Sequence, residues 1–230
     1  MRLSRSKVEL FLDCPRCFYL DIVKNIRRPG GMAFNLNLAV DSLLKKEFDI
    51  YRDRQEVPPL LLEHGLTMKP FAHTDMDLWR SNFKGISYIH NGLELFGAVD
   101  DVWINQDKEL VIVDYKATSK RGFNGLEGSS WKEQYKRQLS FYQWLFVKNG
   151  FVTSKTGYFV YCNAKSDLEK FDNKLEFETY LIAYNCDTAW IEPTLENLQK
   201  CLDGGLPKRG ENCDYCKYSF VANENLGFDF

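Results

Sequence analysis

A chain of 230 residues, 44% hydrophobic and 15% aromatic, carries enough apolar surface for one large core, and it is expected to fold as a single domain over residues 1–230. A formal net charge of −2 excludes a globally basic polyanion binder, so any such contact must rest on a local patch. No apolar run approaches the roughly 20 residues of a bilayer span, and the start Met1-Arg2-Leu3-Ser4-Arg5-Ser6 lacks the apolar core of a signal peptide, which predicts a cytoplasmic protein with no membrane partner.

In chain order, Ser6-Lys7-Val8-Glu9 has the form of a capping box. Val8, Leu10, Phe11, Leu12, Phe18 and Leu20 then predict a first helix that includes Cys14 and Cys17 and is bent or interrupted at Pro15. Pro29-Gly30-Gly31 breaks that pattern. Leu36, Ala39, Val40, Leu43, Leu44 and Phe48 recur at helical spacing and predict a second helix over about 35–52, with Asp41 inside it. The segment from Glu56 to His90 carries loop signals at Pro58-Pro59 and Pro70 and a short helix around Asp75 to Phe83.

From Leu95 to Ile104 the pattern is a strand, followed by a polar turn at Asn105-Gln106-Asp107-Lys108 and a second strand from Glu109 to Thr118. This second strand is apolar on both faces, yet it ends with Asp114 and Lys116, which project from one face. An ionised group in a central strand is costly unless it is paired or bound to metal, so both are candidate functional residues. A buried structural ion pair is the alternative reading. A turn centred between Gln106 and Asp107 puts Asp100 opposite Val113, one diagonal step from Asp114, and turns Asp101 to the other face. A one-residue slip or bulge would also bring the carboxylates of Asp100 and Asp114 together. Two carboxylates are therefore expected beside one lysine.

A glycine-containing connection, Lys120 to Ser130, leads to a helix from about Trp131 to Lys148, ended by Asn149-Gly150. Gln134, Gln138 and Tyr142 form one stripe of it, while Tyr135, Leu139 and Phe146 form the packed side. Strands are expected at Thr156–Cys162 and Leu175–Tyr184, and a last helix at Glu192–Leu202. Trp79, Trp103, Trp131 and Trp144 are expected in the core, and Cys162, Cys186 and Cys201 as buried apolar residues. Two basic groups, Lys24, Arg27 and Arg28 on one segment and Lys116, Lys120, Arg121, Lys132, Lys136 and Arg137 on another, are candidates for a phosphate track.

The other four cysteines form two CxxC pairs, Cys14 with Cys17 and Cys213 with Cys216, the second in a tail read as a loop. In a reducing compartment this favours a metal over disulfides, and four thiolates suit either zinc or a [4Fe-4S] cluster. Either would clasp residues 1–30 and 200–230 into one cysteine-cluster subregion.

Gly97-Ala98-Val99-Asp100, then Val113-Asp114-Tyr115-Lys116-Ala117-Thr118, then Gln138 with Tyr142, resemble the successive motifs of RecB-like PD-(D/E)XK nucleases. Leu3-Ser4 with Cys14-Pro15-Arg16-Cys17-Phe18-Tyr19-Leu20 is similar to the N-terminus of the same branch, including the CRISPR-associated adaptation exonucleases and the AddB nuclease domain. The resemblance implies a restriction-endonuclease-like α/β fold, a mixed central β-sheet flanked by helices, with N- and C-terminal segments joined by a cysteine metal site. It implies a Mg2+- or Mn2+-dependent deoxyribonuclease, an exonuclease on single-stranded DNA or DNA ends. Recombination, repair, CRISPR adaptation and phage DNA processing are the settings, with a partner protein from such a complex. Asp100, Asp114 and the Tyr115 carbonyl would hold the cation, and Lys116 would orient the attacking water. Gln138 and Tyr142 would contact the DNA backbone or steady the lysine. Where the branch carries a histidine ligand this chain has Asp41, an acceptable ligand for a hard cation, or else a solvated helix residue beside Lys45 and Lys46. Iron-sulfur members take one cysteine from the N-terminus and three from the C-terminus. No cysteine follows Cys216 here, so Cys17 would supply the missing ligand of a [4Fe-4S] cluster, with Zn2+ as the alternative. A noncatalytic DNA-binding subunit that retains a nuclease scaffold is the second functional reading.

Overall fold

The computed structural model describes residues 1–31, 34–123, 125 and 130–226. In chain order the elements are β1 (Arg2–Ser4), α1 (Arg5–Asp13), α2 (Pro15–Ile22), α3 (Asn35–Arg54), α4 (Pro59–Glu63), β2 (Lys69–Pro70), α5 (Met76–Trp79) and β3 (Ile86–His90). They continue with β4 (Leu93–Gly97), β5 (Asp101–Ile104), β6 (Leu110–Thr118), α6 (Ser130–Lys148), β7 (Thr156–Ala164), β8 (Phe177–Asn185), α7 (Ile191–Asp203) and α8 (Asp214–Leu226). The chain divides into two compact units, one of Ala33–Thr188 with Met1, the other of Arg2–Met32 with Ala189–Phe230. Among the described residues no helix is long and apolar enough to cross a membrane.

The first unit is built on a five-stranded sheet of order β2-β5-β6-β7-β8. β6 runs antiparallel to β5 and parallel to β7. A parallel pair needs a crossover, and α6 supplies it, which makes the sheet mixed. Leu110 to Tyr115 are buried without alternation, as expected of a strand covered on both faces. On one face Phe48 of α3 stacks on Trp103 at 5.3 Å and joins Val111, Val113, Tyr115 and Val160 in a continuous core. Trp79, Trp103 and Trp144 are buried as expected, while the side chain of Trp131 lies outside the described residues. So do residues 124 and 126–129 of the connection before α6.

Several expectations need correction. The Leu95–Ile104 run is two strands, since β4 ends at Gly97 and pairs with β3, and β5 starts at Asp101. The β3–β4 hairpin turns at Asn91-Gly92, both with positive φ (47° and 80°), the backbone that a two-residue type I′ turn demands. The β5–β6 register is one residue off the expected one, because Asp101, not Asp100, stands opposite Val113. The cause is the loop. Asn105 and Glu109 close it by backbone and side-chain hydrogen bonds, leaving three residues between them with Lys108 at φ 66°. In α3 the expected stripe is only partly internal: Phe48 is buried, but Leu36 and Leu43 are exposed.

In the second unit the first helix begins at Arg5, so Ser6 does not cap it, and Ser4 meets the Ser6 hydroxyl instead. Of the two expected outcomes at Pro15, bend or interruption, the helix shows the interruption. Cys14 is extended (φ −157°, ψ 105°) and caps α2, with Pro15 in the first turn, where a missing N–H costs nothing. Ile191, Leu195 and Leu198 form the buried stripe of α7. The tail after Cys213 is the helix α8 rather than a loop. Of the remaining cysteines, Cys162 is buried, whereas Cys186 and Cys201 are half-buried.

Candidate active site

The C-terminal half of β6 carries the charge pair. Asp114 is fully buried and ion-pairs with Lys116. The Lys116 ammonium also lies 4.6 Å from the centre of the Tyr135 ring on α6 and 3.5 Å from the Tyr115 carbonyl oxygen. Asp100, just before β5, accepts the Tyr115 backbone N–H at 2.8 Å with one oxygen and the Lys45 ammonium at 3.2 Å with the other. Lys45 donates to Asp41, one turn earlier on α3, at 2.8 Å. Asp41, Asp100, Asp114 and Lys116 thus gather in one electrostatic neighbourhood with Lys45, which the sequence presented only as an i,i+4 partner of Asp41.

The carboxylates stabilise the two ammonium groups. Burial works to lower the pKa of Lys116, but Asp114 and then Asp100 hold it above the ordinary lysine value. Burial likewise opposes Lys45, while Asp100 and Asp41 raise it. Burial and the neighbouring Asp100 charge raise Asp41, against the pull of Lys45. Three carboxylates face two ammonium groups, and hard oxygen donors in excess suit a cation such as Mg2+ or Mn2+. The carboxylates do not converge on one point. Among the described residues, the four cysteines are the group whose ligating atoms all lie within 4.8 Å of one another, and Lys45 stands between Asp41 and Asp100.

Gln138 and Tyr142 meet on α6, with the amide donating to the phenol at 3.0 Å. The Tyr142 ring rests on Gly97 of β4, where a Cβ would overlap ring carbon Cε1 and lie 2.8 Å from Cδ1. The glycine of the Gly97–Asp100 motif is therefore the floor under Tyr142.

Asp101 serves a different purpose on the other face. It is fully buried and accepts from Arg52, from Arg80 at 3.0 Å, from the Tyr115 hydroxyl at 2.7 Å, from the Trp103 indole at 3.2 Å and from the Val102 N–H at 2.8 Å. Arg80 also donates to the backbone carbonyl of Asp100 at 3.0 Å and grips Asp49. One guanidinium thereby fixes the backbone that presents Asp100.

In the second unit, three sulfur pairs stand close: Cys14 with Cys216 at 3.7 Å, Cys17 with Cys213 at 3.6 Å and Cys17 with Cys216 at 3.5 Å. Burial works against ionisation of Cys14, but N–H groups of Cys17 and Gly210 aimed at its sulfur bring its pKa down to about 7. Four such sulfurs can hold a metal ion. Alongside runs a groove lined by Arg16, Arg27, Arg28, Arg209, Tyr215 and Tyr218, with the Arg28 guanidinium 4.6 Å over the Tyr215 ring. Arg27 and Arg28 were expected on a phosphate track, and Arg16 and Arg209 join them through the fold. Lys132, expected on the second track, is buried instead.

The model of the PD-(D/E)XK nuclease superfamily matches residues 36–221. A comparison with curated proteins finds no match. Among solved structures, SSO0001 is similar at 18% identity over 96% of this chain and 84% of that one, with a TM-score of 0.46. A candidate exonuclease from Eubacterium rectale is similar at 13% identity over 94% of this chain and 87% of that one, with a TM-score of 0.45.

Proposed function

This chain belongs to the PD-(D/E)XK nuclease superfamily, and on that premise we propose that it is a Mg2+- or Mn2+-dependent deoxyribonuclease of the RecB-like branch. Its substrate is DNA, as an exonuclease on single strands or ends, in cytoplasmic recombination, repair, CRISPR adaptation or phage DNA processing. The observation that carries the reading is the meeting of Asp100, Asp114 and Lys116, with Asp100 pinned by the Tyr115 N–H.

Asp100, Asp114 and the Tyr115 carbonyl would hold the cation, with Asp41 at its edge once Lys45 withdraws from between the two carboxylates. When bound, such a cation supplies a hydroxide-like water and neutralises charge on the phosphate. Lys116, kept protonated by Asp114, directs its N–H groups at the attacking water and the phosphate oxygens, where charge develops in the transition state. Gln138 and the Tyr142 hydroxyl, linked to each other, present donors to the DNA backbone. The arginine-lined groove of the second unit supports a polyanionic substrate, since the chain as a whole is slightly acidic.

The test is incubation of labelled single-stranded and duplex DNA with the purified chain in Mg2+ or Mn2+, beside Lys116→Met and Asp114→Asn variants whose folding is checked by circular dichroism. Parent protein should shorten DNA and folded variants should not. Equal survival of DNA in all samples would remove the enzymatic reading in favour of a DNA-binding scaffold.

A further inference from the structure

We infer that the four cysteines hold a single tetrahedral zinc ion and not the [4Fe-4S] cluster that the N-terminal resemblance implies. The carrying observation is the size of the sulfur cage. A zinc–sulfur bond of about 2.3 Å places tetrahedral sulfurs about 3.8 Å apart. In a four-iron cluster each thiolate binds a different iron, and the sulfurs then stand about 6 Å apart. Here three pairs measure 3.5, 3.6 and 3.7 Å, and all four sulfurs lie within 4.8 Å of one another. The separations also exceed the roughly 2.05 Å of a disulfide, so the thiols remain available as ligands. The cage has room for one ion.

The backbone around it is built for that size. Each CxxC pair straddles the start of a helix: Cys14 caps α2 and Cys213 precedes Asp214, the first residue of α8. The first turn brings sulfurs three residues apart to one side and points free N–H groups at them. The Cys17 N–H reaches the Cys14 sulfur at 3.5 Å, and the Gly210 N–H reaches it at 3.2 Å. Gly210 has no room for a side chain, because a Cβ would lie 2.8 Å from the Asp13 carbonyl oxygen and 3.3 Å from Cys14 Cβ. The loop before Cys213 is therefore closed directly onto Cys14. Expanding the sulfurs to fit four irons would break that contact.

Charge completes the argument. Four thiolates around a divalent ion leave a net charge of −2, and Arg28 donates to the Cys213 sulfur at 3.2 Å while pairing with Asp13 at 2.6 Å. Such an outer partner holds a ligand in place and is worth roughly 10–100-fold in metal affinity.

The experiment measures metal content and does not involve DNA, so its failure leaves the nuclease reading standing. The full chain is purified anaerobically from cells supplied with both iron and zinc, then assayed for zinc, iron and acid-labile sulfide. One zinc per chain, no labile sulfide and no absorbance at about 400 nm are expected. Replacement by Co2+ should give the visible d–d bands of a tetrahedral thiolate ion. Cys216→Ser should lose those bands, and Arg28→Met should keep the stoichiometry but release zinc to a chelator ~10-fold more readily. Labile sulfide with several irons per chain, one iron without sulfide, or neither metal nor a cobalt spectrum would each overturn the assignment.

Discussion

The adjacent residues Asp100 and Asp101 should fail in opposite ways when replaced. Asp101→Ala removes a fully buried carboxylate that holds two guanidinium groups, a phenol and an indole. Removing one partner of a buried ion pair costs about 3–5 kcal/mol, because the other charge stays behind. Arg52 and Arg80 both keep Asp49 as a partner, at 3.0 and 2.8 Å, which places the expectation at the lower end, about 3 kcal/mol. For a chain of this size that is a fall of roughly 6–12 °C in melting temperature. Asp100→Ala differs. Its carboxylate is partly solvated and its partner Lys45 retains Asp41, so the stability change comes chiefly from the Tyr115 N–H left without its acceptor, about 1 kcal/mol. Loss of a cation ligand instead removes several kcal/mol of transition-state stabilisation, ~1,000-fold or more in rate. Thermal melts followed by circular dichroism, paired with DNA cleavage below the melting range, separate the two. An Asp101→Ala protein that melts within about 2 °C of the parent, or an Asp100→Ala protein that cleaves at the parental rate, would refute this division of roles.

Three further outcomes are expected. Gly97→Ala would push the Tyr142 ring off β4, costing about 1–3 kcal/mol by overpacking and breaking its bond with Gln138. Cleavage should drop, and an unchanged melt with unchanged cleavage would show that the ring is not seated there. Lys45→Met takes an ammonium from between two carboxylates, so Mn2+ binding followed by electron paramagnetic resonance should tighten roughly tenfold. Weaker binding would mean that Lys45 organises the carboxylates rather than competing with the cation. Replacing Arg16 and Arg209 together by alanine should weaken binding of a single-stranded oligonucleotide in EDTA and flatten its salt dependence by about 1.4 in slope, two phosphate contacts' worth. An unchanged slope would exclude the groove from the DNA path.

The parts of this molecule that were legible in its sequence are those where local pattern and burial agree. β6 announced itself because charges interrupt an otherwise uniform apolar strand, and α6 because its periodicity is long and ends at Asn149-Gly150. Asp101 was not legible, since its partners Arg52 and Arg80 are 49 and 21 residues away and reach it only through packing. Its neighbour Asp100 stays close to Asp114's strand despite the one-residue difference in register, because it lies just before β5 and accepts the Tyr115 N–H directly. The Asn91-Gly92 hairpin has a strong local signal in its turn residues, whereas nothing local in the apolar Leu95–Ile104 run marks the break between β4 and β5. The helical tail escaped because a CxxC pair among polar residues looks the same in a loop as at a helix start.

The cysteine cage joins distant parts of the chain, and this bears on its biosynthesis. Cys213 follows Cys17 by 196 residues, so at the usual pace of translation the first pair of thiols leaves the ribosome roughly 10–40 s before the second. The unit that contains the cage cannot close until that interval has passed, by which time the sheet encoded between its halves has been synthesised. A four-cysteine metal site can therefore form only after the second pair has emerged. A nascent chain stalled before α8 would hold Cys14 and Cys17 without the two thiols that complete the cage, open to oxidation.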